Sequence, residues 1–366
     1  TGAPIPGGAD AIAQVEITSE PRGGSATRTS RAARGRGGIR AARERTAEGP
    51  LPDRILVHAA VAPGAHVRRA GSDLRAGDRL LSRGAAIGAA QIALLAGAGV
   101  SLVRVYPRPR VAVLATGNEV RAAGEPLGES GIPDANGPGL RALVMTAGAE
   151  VIDLGIARDE LDDVLTRLTR GLEAGADAIV VAGGVSVGPY DVVKSAFEAL
   201  GSVELWRVAV QPGKPFALGT VERPVAAGDG LRTGGAPPPA VLLFGLPGNP
   251  VSSFVTFELF VRPAIRAIAG RDDLMRPLDR GLLLDEARTS PGRRAYLRVT
   301  AERAPDGAVA RDDRGRARVR LARGAAGQGS HVLSALATAE ALAIVAEEVE
   351  VHRAGEPVDL LWLDAP

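Results

Sequence analysis

The sequence predicts a multidomain α/β and β protein, with a parallel-type sheet flanked by helices in the middle, a β-rich region before it and a small all-β unit after it. Three observations carry this. Short apolar runs alternate with helical stretches between residues 110 and 270, strands and turns return after Gly270, and 366 residues exceed one compact unit.

Along the chain, TGAPIPGGADAIAQVEI reads as a loop entering a strand, its Pro and Gly turns giving way to a short alternation. Residues 20–50 combine Arg, Gly and small side chains with almost nothing large and apolar, so they are expected to form a flexible loop. Residues 53–84 alternate apolar and polar side chains between PG and AGD turns, as short strands do. AAIGAAQIALLAGAG has helical spacing and ends in glycines. From Arg110, VAVLATG, AEVIDLG, ADAIVVAGG, WRVAV and AVLLFG read as strands, with helices over 137–148, 159–174, 189–200 and 251–269. PFALGTV is a further strand, followed by a disordered tip at 222–239. After the polar segment RDDLMRPLDR come GLLLDEA, AYLRVTAE, ARVRLAR, ALAIVAEEVE and PVDLLWLDAP, all strand-like. The expected domains are therefore 1–52, 53–109, 110–270 and 271–366.

Composition removes several functions. Forty-four Lys and Arg against 42 Asp and Glu leave a formal charge of +2, which gives nucleic-acid binding no support. Zero cysteines exclude disulfides, thiolate metal sites and cysteine nucleophiles. No apolar run reaches the ~20 residues of a membrane span and the first residues lack a signal-peptide pattern, so the expected location is the cytoplasm. His58, His66, His331 and His352 are scattered and are assigned surface or packing roles. All but two of the basic residues are arginine, and those two, Lys194 and Lys214, both lie in or beside glycine-rich motifs. A compact ammonium there invites a functional reading.

Three glycine loops follow apolar strands: TGNE (Thr116, Gly117, then Glu119), GGVSVG (Gly183, Gly184, Ser186) and LPGNP (Pro247, Gly248, Asn249, Pro250). In an open α/β sheet such loops gather outside the carboxyl ends of the strands and turn backbone N–H groups towards an anion. Neither a P-loop nor a G-x-G-x-x-G fingerprint is present, so nucleotide-hydrolase and dinucleotide readings fall. Glu119, Asp159 and Asp191 stand at the same expected sheet end, a trio suited to Mg²⁺ and phosphate oxygens; capping and helix-dipole roles are the structural alternatives.

VAVLATGNEV, IPDANGPGLRALVMTAGAEVIDLGIARDE, DAIVVAGGVSVGPYDVVKSAFEALG, WRVAVQPGKPFALG and LLFGLPGNPVSSFVTFELFVRPAIRAIAG together resemble the MoeA family of molybdopterin molybdenumtransferases, relatives of the gephyrin E-domain. The likeness extends to TGAPIPGGADAI, VRRAGSDLRAGDRLL, PGRRAYLRV and GQGSHVLSALATAEALAIV. It implies a MogA-like α/β domain over 110–270, a C-terminal β-barrel and a homodimer. The implied reaction is insertion of molybdate into adenylylated molybdopterin, with Mg²⁺ as cofactor and AMP released. It also implies transient contacts with the adenylyltransferase and with molybdoenzyme apoproteins.

By motif, Asp73, Glu119, Asp159 and Asp191 carry over as catalytic, with Asp191 and Glu119 holding the metal. Thr1, Arg207, Lys214, Arg293 and Ser330 carry over to substrate binding beside the loop residues already named. Asn118 stands where the family usually has an acid, and Arg207 and Gln211 stand where it commonly has lysines. The family also begins with about a hundred further residues, so the chain is expected to be an N-terminally truncated form. The alternatives are a MogA- or CinA-like adenylyltransferase or nucleotide-binding protein, and a non-catalytic scaffold; the C-terminal β unit and LPGNPVSSFVTFELF favour the molybdenumtransferase.

Overall fold

A computed structural model describes residues 2–19, 54–184, 192–223, 240–322 and 327–363. The chain divides into two compact units, residues 1–80 and 81–366. In the first unit, β1 (Thr18–Ser19) pairs antiparallel with β2 (Leu56–Val57), and Ser19 Oγ lies 2.7 Å from His58 Nε2. The alternation expected over 53–84 yields this one short pair, and turns occupy most of the rest. Its larger apolar side chains, among them Ile55, Leu56 and Val57, stay about half exposed, so the alternation is not converted into a buried sheet face. The expected loop at 20–50 and the expected tip at 222–239 lie almost wholly outside the described residues.

The second unit opens with α1 (Ala89–Gly97), none of whose residues is buried. The α/β layer follows. Its sheet contains β3 (Arg110–Thr116), β4 (Glu150–Ala157), β5 (Ala178–Ala182), β6 (Ser202–Arg207), β8 (Pro215–Val221) and β9 (Val241–Leu246), in the order β4-β3-β5-β9-β8-β6. Four of these, β4, β3, β5 and β9, run parallel, whereas β8 is antiparallel to both β9 and β6. The unbroken apolar runs are explained by burial of both faces. Ala112 and Leu114 of β3 pack on one side with α3 (Leu161–Glu173) and α4 (Val192–Leu200), where Leu168 and Phe197 are fully buried. Val111 and Val113 pack on the other with α2 (Asn136–Thr146) and with Phe257, Val261 and Ile265 of the long helix that follows β9. That helix starts as α5 (Pro250–Thr256), passes through a π-helical turn over Phe257–Val261 and ends as α6 (Arg262–Ile268).

WRVAV does not form one strand. The sheet strand β6 ends at Arg207, and β7 (Val210–Gln211) leaves the sheet to pair in parallel with Arg294–Ala295 of the C-terminal domain. There β10 (Leu278–Leu283), β11 (Arg294–Ala301), β12 (Ala317–Leu321), β13 (Ala341–Val345) and β14 (Glu356–Trp362) close a five-stranded barrel, with β12 pairing with both β10 and β11. Alternate residues Ala295, Leu297 and Val299 fill its interior, while Tyr296 packs outward with Val251 and Val255 of α5.

Asp279 ties the barrel's ends together. Its carboxylate accepts from Arg311 at 2.7 and 3.3 Å, from the Trp362 indole at 3.0 Å and from the Arg280 N–H at 2.8 Å. The Arg311 guanidinium, then the indole, hold this carboxyl below the usual range. A depressed carboxylate contributes stability above the unfolded value near 4 and loses it as pH falls through the folded value. Asp279→Asn is therefore expected to lower unfolding free energy by about 1–2 kcal/mol at neutral pH. Denaturant titrations should show the gap to wild type shrinking by about pH 3.

Candidate active site

Register brings the predicted loops together. Ala115, Ala182 and Leu246 are aligned across β3, β5 and β9, so TGNE, the start of GGVSVG and LPGNP all leave one end of one sheet, as expected. Thr116 is aligned with Ala157, which adds the turn carrying Asp159. The helices after β3 and β9 pack on one face and those after β4 and β5 on the other. Chain direction thus diverges on both sides of β5, the arrangement that opens a ligand crevice.

The crevice floor is backbone packed against backbone. Gly183 N–H donates to Leu246 O at 3.2 Å. A Cβ on Gly183 would stand 2.5 Å from Thr116 O, and one on Gly184 2.6 Å from Val193 Cγ2; φ is +94° and +64° at these positions. Only glycine fits there. Among the described residues the buried Thr116 hydroxyl has no hydrogen-bond partner. Gly117 N–H donates to Ala157 O at 3.2 Å. Asn136, from PDANG, donates from Nδ2 to Gly248 O at 2.6 Å and so fixes the LPGNP loop, a role the sequence reading missed. Pro247 is buried, while Gly248 and Asn249 are exposed and Pro250 is half-buried at the first turn of α5.

Asn118 and Asp159 hold each other reciprocally: Asn118 N–H donates to Asp159 Oδ2 and Asp159 N–H to Asn118 Oδ1, both at 3.2 Å. Glu119 is exposed, with its carboxylate folded over Gly117. Thr1, Ser186 and Asp191 lie outside the described residues, and Asp73 is exposed in the first compact unit. Among the described residues no three His, Asp or Glu side chains cluster as a metal site.

Two concavities adjoin this sheet end. The larger, about 810 Å³ beside Gly117 and Asn118, is lined by Arg121, Arg141, Arg158 and Arg167 together with acids. Its arginines are largely engaged, Arg141 by Asp153 at 3.0 Å, Arg167 by Asp163 at 2.9 Å and Arg121 by the carbonyls of Asn118 and Val120. The smaller, about 340 Å³, lies between the PGK turn and the barrel. It gathers Lys214, Arg293 and Ser330 from the sequence reading, adds Arg288 and Arg298, and among the described residues has no acidic side chain in its lining. Arg207 is exposed at the end of β6 and is not in this lining, and Lys194 faces Glu198 on α4 at 3.5 Å.

Arg298 decides between them. It is 1% exposed, and among the described residues it has no carboxylate partner. One guanidinium nitrogen reaches Gly329 O at 3.2 Å, and Nε is unpartnered. Burial lowers its pKa to about 10. A buried guanidinium without a carboxylate calls for an anion that the described residues do not supply.

Known proteins resemble the chain domain by domain. Residues 112–267 match a probable molybdopterin binding domain, residues 1–99 the MoeA N-terminal region (domains I and II), and residues 280–363 the MoeA C-terminal region (domain IV). Molybdopterin molybdenumtransferase 1 of Mycobacterium tuberculosis is 37% identical over 311 residues, which cover 85% of this chain and 67% of that protein. The chain belongs to the MoeA family of molybdopterin molybdenumtransferases. Molybdopterin molybdenumtransferase 2 of the same organism is 35% identical over 306 residues, 82% of this chain and 64% of that protein. The crystal structure of a MoeA molybdopterin biosynthesis protein from Pyrococcus horikosii superposes with a TM-score of 0.65 at 27% identity, over 85% of this chain and 68% of that one. This MoeA relative thus spans about two thirds of each of them.

The unpaired Thr116 hydroxyl yields a separable expectation. Replacing a buried, unsatisfied hydroxyl with a methyl of the same shape removes a desolvation cost. Thr116→Val is expected to leave the thermal midpoint of the unliganded protein unchanged or raised. Gly183→Ala should cost about 2 kcal/mol or more through its clash with Thr116 O. Thermal unfolding of the two variants checks both.

Proposed function

We propose that this protein inserts molybdenum into molybdopterin, taking molybdate and adenylylated molybdopterin as substrates and releasing AMP with Mg²⁺ as cofactor. The observation that carries the reading is the acid-free cationic pocket around the buried Arg298. In it Lys214, Arg293 and Arg298 bind the tetrahedral oxyanion, with Ser330 as a hydroxyl partner. The glycines of TGNE and GGVSVG let backbone approach the pterin phosphate, and LPGNP closes the same edge.

The donor set at the strand ends fits a hard cation, since it offers carboxylate oxygens and neither thiolate nor imidazole. Glu119, with Asp191, would hold Mg²⁺, which when bound neutralises charge on phosphate oxygens. Asp159 is kept in place by Asn118. Asp73 completes the catalytic set, and Thr1, Ser186 and Arg207 contribute substrate contacts. We divide the chain functionally at 52, 109 and 270. The working unit is a cytoplasmic homodimer, supported by the exposure of Ile92, Leu102 and Val105 at 58, 90 and 65%, and it meets the adenylyltransferase and apoenzymes transiently. Among the described residues no helix is long and apolar enough to cross a membrane.

The test is AMP release from adenylylated molybdopterin, followed with and without molybdate and Mg²⁺; release that ignores molybdate would overturn the reading. Arg298→Met is expected to weaken molybdate binding about 100-fold while the unliganded protein becomes no less stable, because an unpaired buried charge is removed. A purely structural Arg298 predicts the reverse. Lys214→Arg should keep the fold yet lower the insertion rate, since a planar fork does not reproduce a point charge on a short turn.

A further inference from the structure

The pocket around Arg298 is chemically one-sided in a way that cation content alone does not describe. Besides its four cations it presents three hydroxyl side chains, Ser252, Tyr296 and Ser330, and two amides, Gln211 and Gln328. Each amide oxygen already accepts one backbone hydrogen bond. Gln211 Oε1 accepts the Ser290 N–H at 3.0 Å. Gln328 Oε1 accepts the Arg298 N–H at 2.9 Å, while its Nε2 donates to Arg298 O and Ala322 O, both at 3.0 Å. Nearby backbone oxygens are engaged as well: Gly329 O by Arg298, Lys214 O by the Val208 N–H at 3.2 Å and Ser330 O by the Val251 N–H at 3.2 Å.

We propose that this lining, rich in donors and without a carboxylate among the described residues, selects tetrahedral oxyanions that carry no proton, such as molybdate, tungstate and sulfate, over hydrogen phosphate of similar size and charge. The proposal rests on the oxyanion reading above and adds to it the basis of discrimination. Near neutral pH the dianion of phosphate keeps one P–OH group, and that proton needs an acceptor. Here it meets an ammonium and guanidinium N–H groups, which only donate. A serine or tyrosine hydroxyl can accept it only by turning its own O–H away from the ligand, so one contact is lost for each one made. A site whose polar groups are left unpaired by a ligand rejects that ligand by more than a site that merely fits it poorly. Gln328 is the positioning residue in this scheme: by bonding to both the N–H and the C=O of Arg298 it fixes the backbone from which the guanidinium projects. Molybdate is not told from sulfate by this lining, so sulfate is a competitive ligand.

The test is calorimetric titration of the protein with sodium molybdate, sulfate, phosphate and monofluorophosphate at neutral pH and constant ionic strength. Monofluorophosphate is close to hydrogen phosphate in shape and charge but has no proton. Molybdate, sulfate and monofluorophosphate are expected to bind within about tenfold of one another and phosphate at least about tenfold more weakly. In Gln211→Glu, one carboxylate oxygen keeps the Ser290 bond and the other becomes an acceptor, so the phosphate deficit should shrink. Phosphate binding as tightly as monofluorophosphate, with both lost in Arg298→Met, overturns the discrimination alone. Anion binding that is absent, or unchanged in Arg298→Met, overturns the oxyanion reading and this inference with it.

Discussion

The parallel pairing of Val210–Gln211 with Arg294–Ala295 is the constraint on which the cationic pocket depends. Two residues leave the α/β sheet just after its edge strand and become an extra strand on the barrel. Arg294 N–H closes the junction onto Ala209 O at 3.0 Å, and the Ser290–Gln211 bond repeats it one step further along. The PGK turn that follows therefore shares a cavity with the barrel and also abuts α5, where a Cβ on Gly213 would stand 2.6 Å from the Thr256 methyl. Lys214 on one side and Arg293, Arg298 and Ser330 on the other become walls of one cavity because the backbone crosses there.

With that junction fixed, the energetics of Arg298 follow. Removing a guanidinium from water costs several kcal/mol even after relaxation, roughly the scale of half a domain's net stability. The protein offsets little of this with its own groups: one carbonyl, and an amide that holds the backbone of Arg298 and leaves its charge alone. The larger groove beside Asn118 shows the contrasting solution, in which arginines are matched by Asp153 and Asp163 and the charge is settled internally. A ligand gains most where charge is left uncompensated, which is the reason for proposing the smaller cavity, and not the larger, as the anion site.

Much of this was legible in the sequence, for physical reasons that vary along the chain. Runs such as VAVLAT and AIVVA are apolar at every position because both faces of a parallel sheet are covered, and this pattern survives without knowledge of any partner. The loops at the sheet end were legible because only glycine tolerates the approach of Gly183 to Thr116 O. The split of WRVAV was not legible, since a strand that changes sheets has the same composition as one that continues. Arg298 was missed because one arginine in AYLRVTA looks like an ordinary solvent-facing position of an alternating strand. Only the barrel's docking against α5, through Tyr296, Val251 and Val255, shows that this outer face is covered. The weak alternation over 53–84 pointed to strands, but alternation does not say whether a partner surface exists, and Ile55, Leu56 and Val57 stay about half exposed.

The Asn118–Asp159 pair shows how a departure from the family's pattern can be read physically. An acid at residue 118 would accept the Asp159 N–H as the amide oxygen does, so the two backbones would be tied in either case. What changes is charge. Two carboxylates facing each other across adjoining loops repel unless a cation lies between them, and the loops then depend on that cation for their spacing. With Asn118 the same spacing is held by two neutral-donor hydrogen bonds, leaving Asp159 as the one carboxylate of the pair. The strand-end loops of this protein are thus preorganised by hydrogen bonding where an acidic pair would rely on metal, and any Mg²⁺ that binds beside them meets a frame already set.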